Sequence, residues 1–169
     1  MSNKIKLNIA VLTISDSRTK ETDKSGNLLA KLIGESGHKV TEHFIVKDCI
    51  YSIRKTVSSW IDNKSIDVVI STGGTGVTGR DGTPEAVEVL FDKKIDGFGE
   101  IFRYISYKKI KTSTVQSRAL AGVANSTYIF CLPGSPGACK DAWLDIIQHQ
   151  LDSNNKPCNL VELMPRLKI

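Results

Sequence analysis

The residues best suited to chemistry lie in one stretch, residues 72–83, which contains five glycines. An apolar, β-branched run at residues 68–70 precedes it and is typical of a strand buried on both faces. The stretch ends in Thr83, Pro84 and Glu85, the pattern of a hydroxyl N-cap, a proline at the first helical position and an acid in the first turn. Because a glycine-rich loop and a helix N-terminus both present N–H groups to negative charge, the stretch predicts an anion-binding cradle.

Residues 74–79 also match the spelling of two familiar phosphate motifs, and the residues that follow exclude both. The dinucleotide fingerprint needs its third glycine inside the helix that it opens, whereas Arg80, Asp81 and Pro84 delay the helix here by about four residues. The P-loop needs Lys and Ser or Thr where Arg80 and Asp81 stand. The loop therefore belongs to neither class of nucleotide-binding protein.

The elements that must position this loop alternate between strands and helices. Residues 7–14 and 40–46 read as strands, and apolar positions with helical spacing follow each of them, up to Gly37 and to about Asn63. This order predicts an α/β fold: a single-domain, three-layer α/β/α sandwich with a mostly parallel sheet. Ligands of such sheets bind outside the carboxyl ends of the strands, where residues 15–23, 47–48 and 72–83 should converge.

The second half of the chain supplies two further helices and a hairpin. The helix that opens at Gly97 is predicted to place Phe98, Ile101, Phe102 and Ile105 on its inner face. Residues 120–124 and 127–132 form the predicted hairpin around a turn at residues 125–126. A second strand, glycine loop and helix junction follows at residues 133–137, and its helix extends to about residue 151.

Composition narrows the class of protein. The chain has 169 residues, enough for one domain (1–169) with a substantial core, and a net charge of +5. Its densest basic patch, residues 108–111, lacks the interleaved aromatics of a nucleic-acid interface, so no nucleic-acid partner is expected. No apolar run is long enough for a membrane span, and no signal-peptide core is seen at the start. Four cysteines without C-x-x-C spacing indicate reduced thiols in a cytoplasmic protein.

Five stretches, in this order, resemble the MoaB/MogA family of molybdenum cofactor biosynthesis, and the match spans nearly the whole chain. They are Thr-Gly-Gly-Thr-Gly at residues 72–76, Arg-Asp-Gly-Thr-Pro-Glu-Ala at 80–86, Gly-Phe-Gly-Glu at 97–100, Ser-Arg-Ala-Leu-Ala-Gly at 117–122 and Leu-Pro-Gly-Ser-Pro-Gly at 132–137. Residues 98–103, 122–125 and 156–159 look closer to MoaB than to MogA.

The resemblance implies a molybdopterin-binding fold that assembles into homotrimers, or into homohexamers built from trimers. It also implies an activity, the adenylylation of molybdopterin with ATP and Mg²⁺, in which a phosphate oxygen of molybdopterin attacks the α-phosphorus of ATP and pyrophosphate leaves. The sequence suits such a transfer, because phosphoryl-transfer enzymes mainly position phosphates and balance their charge with a metal and backbone donors.

The resemblance also assigns roles to individual residues. Asp81 matches the family's essential aspartate and Asp48 a second acid at the end of the second strand; both are predicted to be catalytic and to hold Mg²⁺, although a loop carboxylate that caps local N–H groups explains either one alone. Asp16 and Asp23 match the family's first loop, where helix capping accounts equally well for Asp23. The predicted substrate- and phosphate-binding residues are Ser15, Thr72, Gly73, Gly74, Thr75, Gly76, Ser117, Arg118 and Ser135.

Several alternatives stay open at the level of sequence. Arg118 suits a phosphate through its planar fork, but a surface salt bridge explains it as well, and a simple turn explains Ser135. His38, His43 and His149 match no motif and are interpreted as surface or packing residues. The alternative function is a non-catalytic molybdopterin carrier or scaffold. A nucleotide pyrophosphatase like the competence-damage proteins is disfavoured, because those carry Thr-Gly-Gly-Leu-Gly-Pro-Thr at this loop.

Overall fold

A single mixed sheet of six strands organises the computed structural model, which describes residues 4–167. The strands lie in the order β2-β1-β3-β6-β5-β4. The first three and β6 run parallel, whereas β5 is antiparallel to β6 and β4 to β5. Their bounds are Asn8–Ile14 (β1), Lys39–Val46 (β2), Val68–Thr72 (β3), Lys93–Lys94 (β4), Leu120–Ala124 (β5) and Thr127–Leu132 (β6).

Helices cover both faces of the sheet. Helices α1 (Lys24–Glu35), α4 (Asp96–Ile110) and α5 (Pro136–Ala142) pack on one face, and α2 (Ile50–Asp62) and α3 (Thr83–Val87) on the other. A π-helical turn, Trp143–Ile147, and a final α-helical turn, α6 (Gln148–Gln150), prolong α5. The described residues also contain three 3₁₀ segments: Glu88–Leu90, Lys111–Gln116 and Val161–Arg166. The predicted three-layer α/β/α sandwich is confirmed.

The centre of the sheet explains why its strands read as continuous apolar runs. All five residues of β3 are buried, because β1 and β6 flank this strand and helices cover both of its faces. Strands buried on both sides need apolar side chains throughout rather than alternation. Central β3 therefore fixes the start of the glycine-rich loop to the buried centre of the sheet.

The ends of α1 and the hairpin turn are formed by the residues that the sequence indicates. Asp23 caps α1 by accepting a hydrogen bond from the Gly26 N–H at 2.8 Å, and it also accepts one from the Thr13 hydroxyl at 2.6 Å. Gly37 follows the helix with a φ of 84°, the left-handed conformation that ends many helices. The turn of the predicted hairpin is also confirmed, with Asn125 and Ser126 both at positive φ.

Two predictions about helices are wrong. Gly82, not Thr83, is the N-cap of α3, because the Thr83 hydroxyl instead donates to the Gly73 carbonyl at 2.8 Å. In α4 the predicted inner face is too wide: Phe98 and Phe102 are buried, whereas Ile105 is half-buried and Ile101 is 50% exposed. Only a narrow stripe of α4 contacts the core, where Phe98 packs edge-on against Phe130.

The described residues 4–167 contain no helix that is both long enough and apolar enough to cross a membrane. Their four cysteines are free; Cys131 and Cys139 are buried, Cys49 is half-buried and Cys158 is exposed. Burial raises the pKa of the Cys131 thiol to about 12 and that of Cys139 to about 11. These two thiols are packing residues, as the sequence predicts.

Candidate active site

Three loops meet at the carboxyl ends of β1, β2 and β3. The Asp16 carboxylate on the first loop accepts hydrogen bonds from the Arg80 guanidinium on the third, at 2.6 to 3.1 Å. The same carboxylate accepts one from the Asp48 N–H on the second loop at 3.2 Å. The predicted convergence of residues 15–23, 47–48 and 72–83 is therefore confirmed by direct contacts.

A cleft of about 520 Å³ opens between the glycine-rich loop and the end of α4. On its other sides it borders the first loop and the loop after β6. It is open to solvent and large enough for a nucleotide-sized ligand. The predicted site residues that line it are Ser15, Gly73, Gly74, Thr75, Gly76, Asp81, Ser117 and Ser135.

The glycines allow backbones to approach one another at the floor of this cleft. Gly73 has a φ of 108°, and a Cβ there would overlap the carbonyl oxygen of Ile14 at the end of β1. A Cβ at Gly134 would lie 3.3 Å from the Gly73 Cα, so the two glycine-containing loops touch. Positive φ and missing Cβ atoms are both required here, which only glycine supplies without strain.

Asp81 is the carboxylate on the cleft side of the loop. Its Oδ2 accepts hydrogen bonds from the Thr78 N–H at 2.9 Å and from the Thr78 hydroxyl at 2.6 Å. These hydrogen bonds hold the pKa of Asp81 below its usual value of 3.8, and the one from the Thr78 hydroxyl has the largest effect. Asp81 is therefore ionised at neutral pH and suited to a cation.

Asp48 contacts the glycine-rich loop from the second loop and does not line the cleft. Its Oδ1 accepts a hydrogen bond from the Gly82 N–H at 3.3 Å, and a Cβ at Gly74 would lie 3.1 Å from its Oδ2. Burial, and then the nearby charges of Asp81 and Asp16, raise the pKa of Asp48 above 3.8. The two acids thus flank the same loop with pKa values displaced in opposite directions.

The carboxylates at this loop do not form a complete metal site made of protein ligands alone. Within residues 4–167, no three His, Cys, Asp or Glu side chains come together as metal ligands. Mg²⁺ is usually held by one or two carboxylates together with substrate phosphates and water. The ionised Asp81, with Asp48 behind the loop, matches that arrangement.

Two predicted ligands use their polar groups inside the protein instead. The Thr72 hydroxyl is buried at the end of β3 and donates to the Pro133 carbonyl at 3.0 Å, so it ties the two glycine-containing loops together. The Arg118 side chain lies on the far side of the glycine-rich loop, where it pairs with Glu85. The salt bridge, one of the two sequence interpretations of Arg118, is thus present, and phosphate binding by Arg118 stays a prediction.

Sequence reasoning missed part of the cleft wall. The 3₁₀ segment Lys111–Gln116 brings Ser113, Thr114 and Gln116 to the cleft, and the first loop adds Ser17 and Arg18. The signal available in the sequence was the run of hydroxyl residues at 112–117, which has no periodicity of its own. Ser106 and Phe102 of α4 complete this wall.

The histidines lie away from this cleft. His38 is buried, its Nδ1 accepts a hydrogen bond from the Leu7 N–H at 3.2 Å, and burial lowers its pKa to about 4. His43 is half-buried against the Asp23 carboxylate, 3.2 Å away, and His149 is exposed. Their positions agree with the interpretation as packing and surface residues.

Comparison with known proteins gives one consistent result. A family model described as "Probable molybdopterin binding domain" matches residues 10–153. Molybdenum cofactor biosynthesis protein B of Escherichia coli (strain K12) is 52% identical over 151 residues, which cover 89% of each chain. A crystal structure of a molybdenum cofactor biosynthesis protein B superposes with a TM-score of 0.87 at 43% identity, covering 96% of both chains.

A second solved structure gives the same likeness. The tungsten cofactor synthesizing protein MoaB from Pyrococcus furiosus has a TM-score of 0.79 at 32% identity, with 97% of this chain and 98% of that chain covered. Both the extent and the level of these matches confirm the resemblance carried by the five motifs. The chain belongs to the MoaB/MogA family of molybdenum cofactor biosynthesis.

Proposed function

We propose, from this family membership, that the protein acts in molybdenum cofactor biosynthesis by binding molybdopterin in the cleft and adenylylating it with magnesium ATP. The observation that supports the chemistry best is Asp81. Its carboxylate is ionised, lines the cleft and lies beside a glycine-rich loop whose close backbone approach suits phosphate groups. A molybdopterin-binding domain is also what the matched family model describes.

In the proposed reaction, a terminal phosphate oxygen of molybdopterin attacks the α-phosphorus of ATP. A new P–O bond forms, the bond between the α-phosphorus and the bridging oxygen to the β-phosphate breaks, and pyrophosphate leaves with that bond's electron pair. Bound Mg²⁺ would neutralise phosphate charge during this transfer. The protein's own contribution is positioning, because the reaction needs in-line phosphates more than it needs covalent chemistry.

The chemical groups of the cleft residues suggest three binding roles. Gly73, Gly74, Thr75 and Gly76 line the cleft and are proposed to contact phosphate or pterin, with Gly73 contributing only its shape because its N–H and carbonyl bond to Leu132 and Thr83. Ser15, Ser117 and Ser135 add side-chain hydroxyls from three other segments. We propose that Asp81 holds the metal directly and that Asp48 assists from behind the loop.

The deciding experiment is a turnover assay with molybdopterin, ATP and Mg²⁺. The native protein should form adenylylated molybdopterin and pyrophosphate, and Asp81→Asn should lower the rate on the order of 100-fold or more, because a charge at the transition state is lost. Asp62→Asn, a change at the exposed end of α2, is the matched control and should leave the rate unchanged.

The outcomes separate the candidate functions. An unchanged rate in Asp81→Asn would remove Asp81 from the mechanism. Tight molybdopterin binding with no turnover by the native protein would establish the carrier or scaffold instead of the enzyme. Asp48→Asn, assayed alongside, should show a smaller loss than Asp81→Asn, because its carboxylate lies outside the cleft.

We also propose a cytoplasmic homo-oligomer, a trimer or a hexamer built from trimers. The support is the outer face of α4, which exposes four large side chains by at least half: Ile101, Tyr104, Tyr107 and Ile110. Soluble monomers rarely expose large contiguous apolar patches, and such patches often mark protein–protein interfaces. Light scattering on the purified protein tests this assembly, and a monomer at micromolar concentration would contradict it.

A further inference from the structure

Thr78 holds the Asp81 carboxylate from within the glycine-rich loop, but the backbone of that loop has little regular structure to fix the pair in place. Residues 73–82 contain neither helix nor strand. The local backbone hydrogen bonds are few: Asp81 N–H to the Thr78 carbonyl, Gly82 N–H to Arg80, and Thr83 N–H to Gly74. A loop of this kind keeps one shape only when groups outside it fix its backbone.

Arg118, which stands just before β5, supplies that fixation. Its backbone N–H donates to the Thr75 carbonyl at 3.0 Å. Its guanidinium donates from Nε to the Gly76 carbonyl at 2.7 Å and from Nη2 to the Asp81 carbonyl at 2.6 Å. One planar group therefore holds two carbonyls that are five residues apart, and the second of them belongs to Asp81 itself.

Glu85 anchors this guanidinium to the body of the protein. Its carboxylate pairs with Nη1 of Arg118, and this contact lowers the pKa of Glu85. Arg54 on α2 in turn donates to the Glu85 carbonyl at 2.9 Å and to the Ala86 carbonyl at 3.1 Å. The path from the core of the protein to Asp81 runs through α2, α3, Glu85 and Arg118.

We propose that Arg118 and Glu85 act as a clamp that positions Asp81 for the reaction, and that Arg118 is a positioning residue rather than a phosphate ligand. The proposal rests on the proposed adenylyl transfer for its kinetic consequences. Its structural basis is separate: all three nitrogens of the Arg118 guanidinium are engaged on the protein. These contacts use three of its five N–H donors, and Arg118 is not among the residues that line the cleft proposed to bind phosphate.

The clamp and the phosphate-ligand interpretation predict opposite results for Glu85→Ala. If Arg118 bound phosphate, removing Glu85 would free the guanidinium for the substrate, and the KM for ATP would fall or the rate would rise. If Arg118 is a clamp, the loss of its anchor lets Asp81 shift, so kcat falls about 10-fold while the KM for ATP stays within about twofold.

Arg118→Lys is the second variant, because it keeps the charge and removes the planar fork. A lysine has its three donors on a single nitrogen and cannot reproduce the fork that spans the Gly76 and Asp81 carbonyls, so kcat should fall between about 10-fold and 100-fold with little change in KM. Arg103→Lys is the matched control: Arg103 also donates to a backbone carbonyl, that of Ala119 at 3.0 Å, but has no contact with the glycine-rich loop. It should leave kcat unchanged.

Amide hydrogen exchange tests the clamp without relying on turnover. Exchange of the amides at residues 76–82 should be faster in Arg118→Lys and in Glu85→Ala than in the native protein, and unchanged in Arg103→Lys. If the native protein shows no adenylyl transfer, the proposed function fails while this measurement still decides the clamp. The clamp would be overturned by unchanged exchange in both Arg118→Lys and Glu85→Ala. It would also be overturned by a raised KM for ATP with an unchanged kcat in Arg118→Lys.

Discussion

The two junctions that follow β3 and β6 are built from similar residues but are stabilised in different ways. After β6, a short loop ends in Ser135, which caps α5 by accepting from the Ala138 N–H at 3.2 Å. After β3, ten residues intervene before α3, a helix of five residues without a side-chain cap. The first junction combines a cap within its own segment with contacts from Ser25 and Thr72, whereas the second has no helix cap of its own and depends on contacts from distant parts of the chain.

That difference coincides with a difference in chemistry. The junction after β6 carries one hydroxyl, whereas the junction after β3 carries Asp81 and lies against Asp48. In the proposed reaction the Asp81 carboxylate acts beside phosphates, so it has to be held in place although the loop around it has no regular structure. Arg80, Thr83 and Arg118, each bonded to a group outside its own turn, provide this restraint.

The largest contrast between the junctions should come from single glycine substitutions. Gly73→Ala forces an L side chain into a φ of 108° and against the Ile14 carbonyl, so the free energy of unfolding should fall by about 3 kcal/mol or more. Gly137→Ala, in α5, meets no atom within 4 Å and should change it by less than about 1 kcal/mol. Urea denaturation followed by circular dichroism measures both. Equal losses would contradict the comparison.

Removing one hydroxyl from each junction should give a smaller effect. Thr83→Val leaves the Gly73 carbonyl without its buried donor and should lower the free energy of unfolding by about 1–2 kcal/mol. Ser135→Ala removes an N-cap and should cost about 1 kcal/mol. The sharper distinction is local: hydrogen exchange at residues 73–82 should accelerate in Thr83→Val and stay as in the native protein in Ser135→Ala.

The smallest effect should appear in the dependence of stability on pH. Because the pKa of Asp81 is lowered in the native state, its contribution to stability is present above 3.8 and is lost as pH falls through its native pKa. The pKa of Asp48 is raised, so its contribution has the opposite sign and is lost as pH rises through its native pKa. The junction after β6 has no carboxylate and should not contribute.

Thermal unfolding between pH 2 and pH 7 tests these signs. Asp81→Asn should reduce the fall of the midpoint temperature on the acid side of the pH profile by about 2 °C or less. Asp48→Asn should raise the midpoint temperature at pH 7 by about 2 °C or less. Ser135→Ala should shift the whole profile without changing its shape. A profile of native shape in Asp81→Asn would show that its hydrogen bonds to Thr78 add nothing to stability.

The sequence predicts those features that depend on neighbours along the chain. The burial of β3 follows from its apolar run, the start of α1 from Asp23, and the hairpin turn from Asn125 and Ser126. The meeting of the three loops also follows, because strand order alone brings the carboxyl ends of parallel strands to one edge. Eight of the 20 cleft-lining residues were therefore predicted as site residues from motifs, topology and resemblance.

Features that depend on distant partners were not predictable. Thr83 has the type and position of an N-cap, but the nearby Gly73 carbonyl takes its hydroxyl. The orientation of Arg118 depends on three groups from another segment, none of which a local pattern reveals. Ile101 has helical spacing for the core and yet is half exposed, because α4 meets the sheet along only one narrow stripe.

The two core layers differ in one further respect that is useful in practice. The chain has two tryptophans, and the sheet separates them: Trp60 is buried in the layer formed with α2, and Trp143 in the layer formed with α1 and α4. Each layer therefore contains its own intrinsic fluorophore. Replacing either one with Phe leaves a protein whose emission reports on a single layer, and coincident transitions for the two would show that the layers unfold as one cooperative unit.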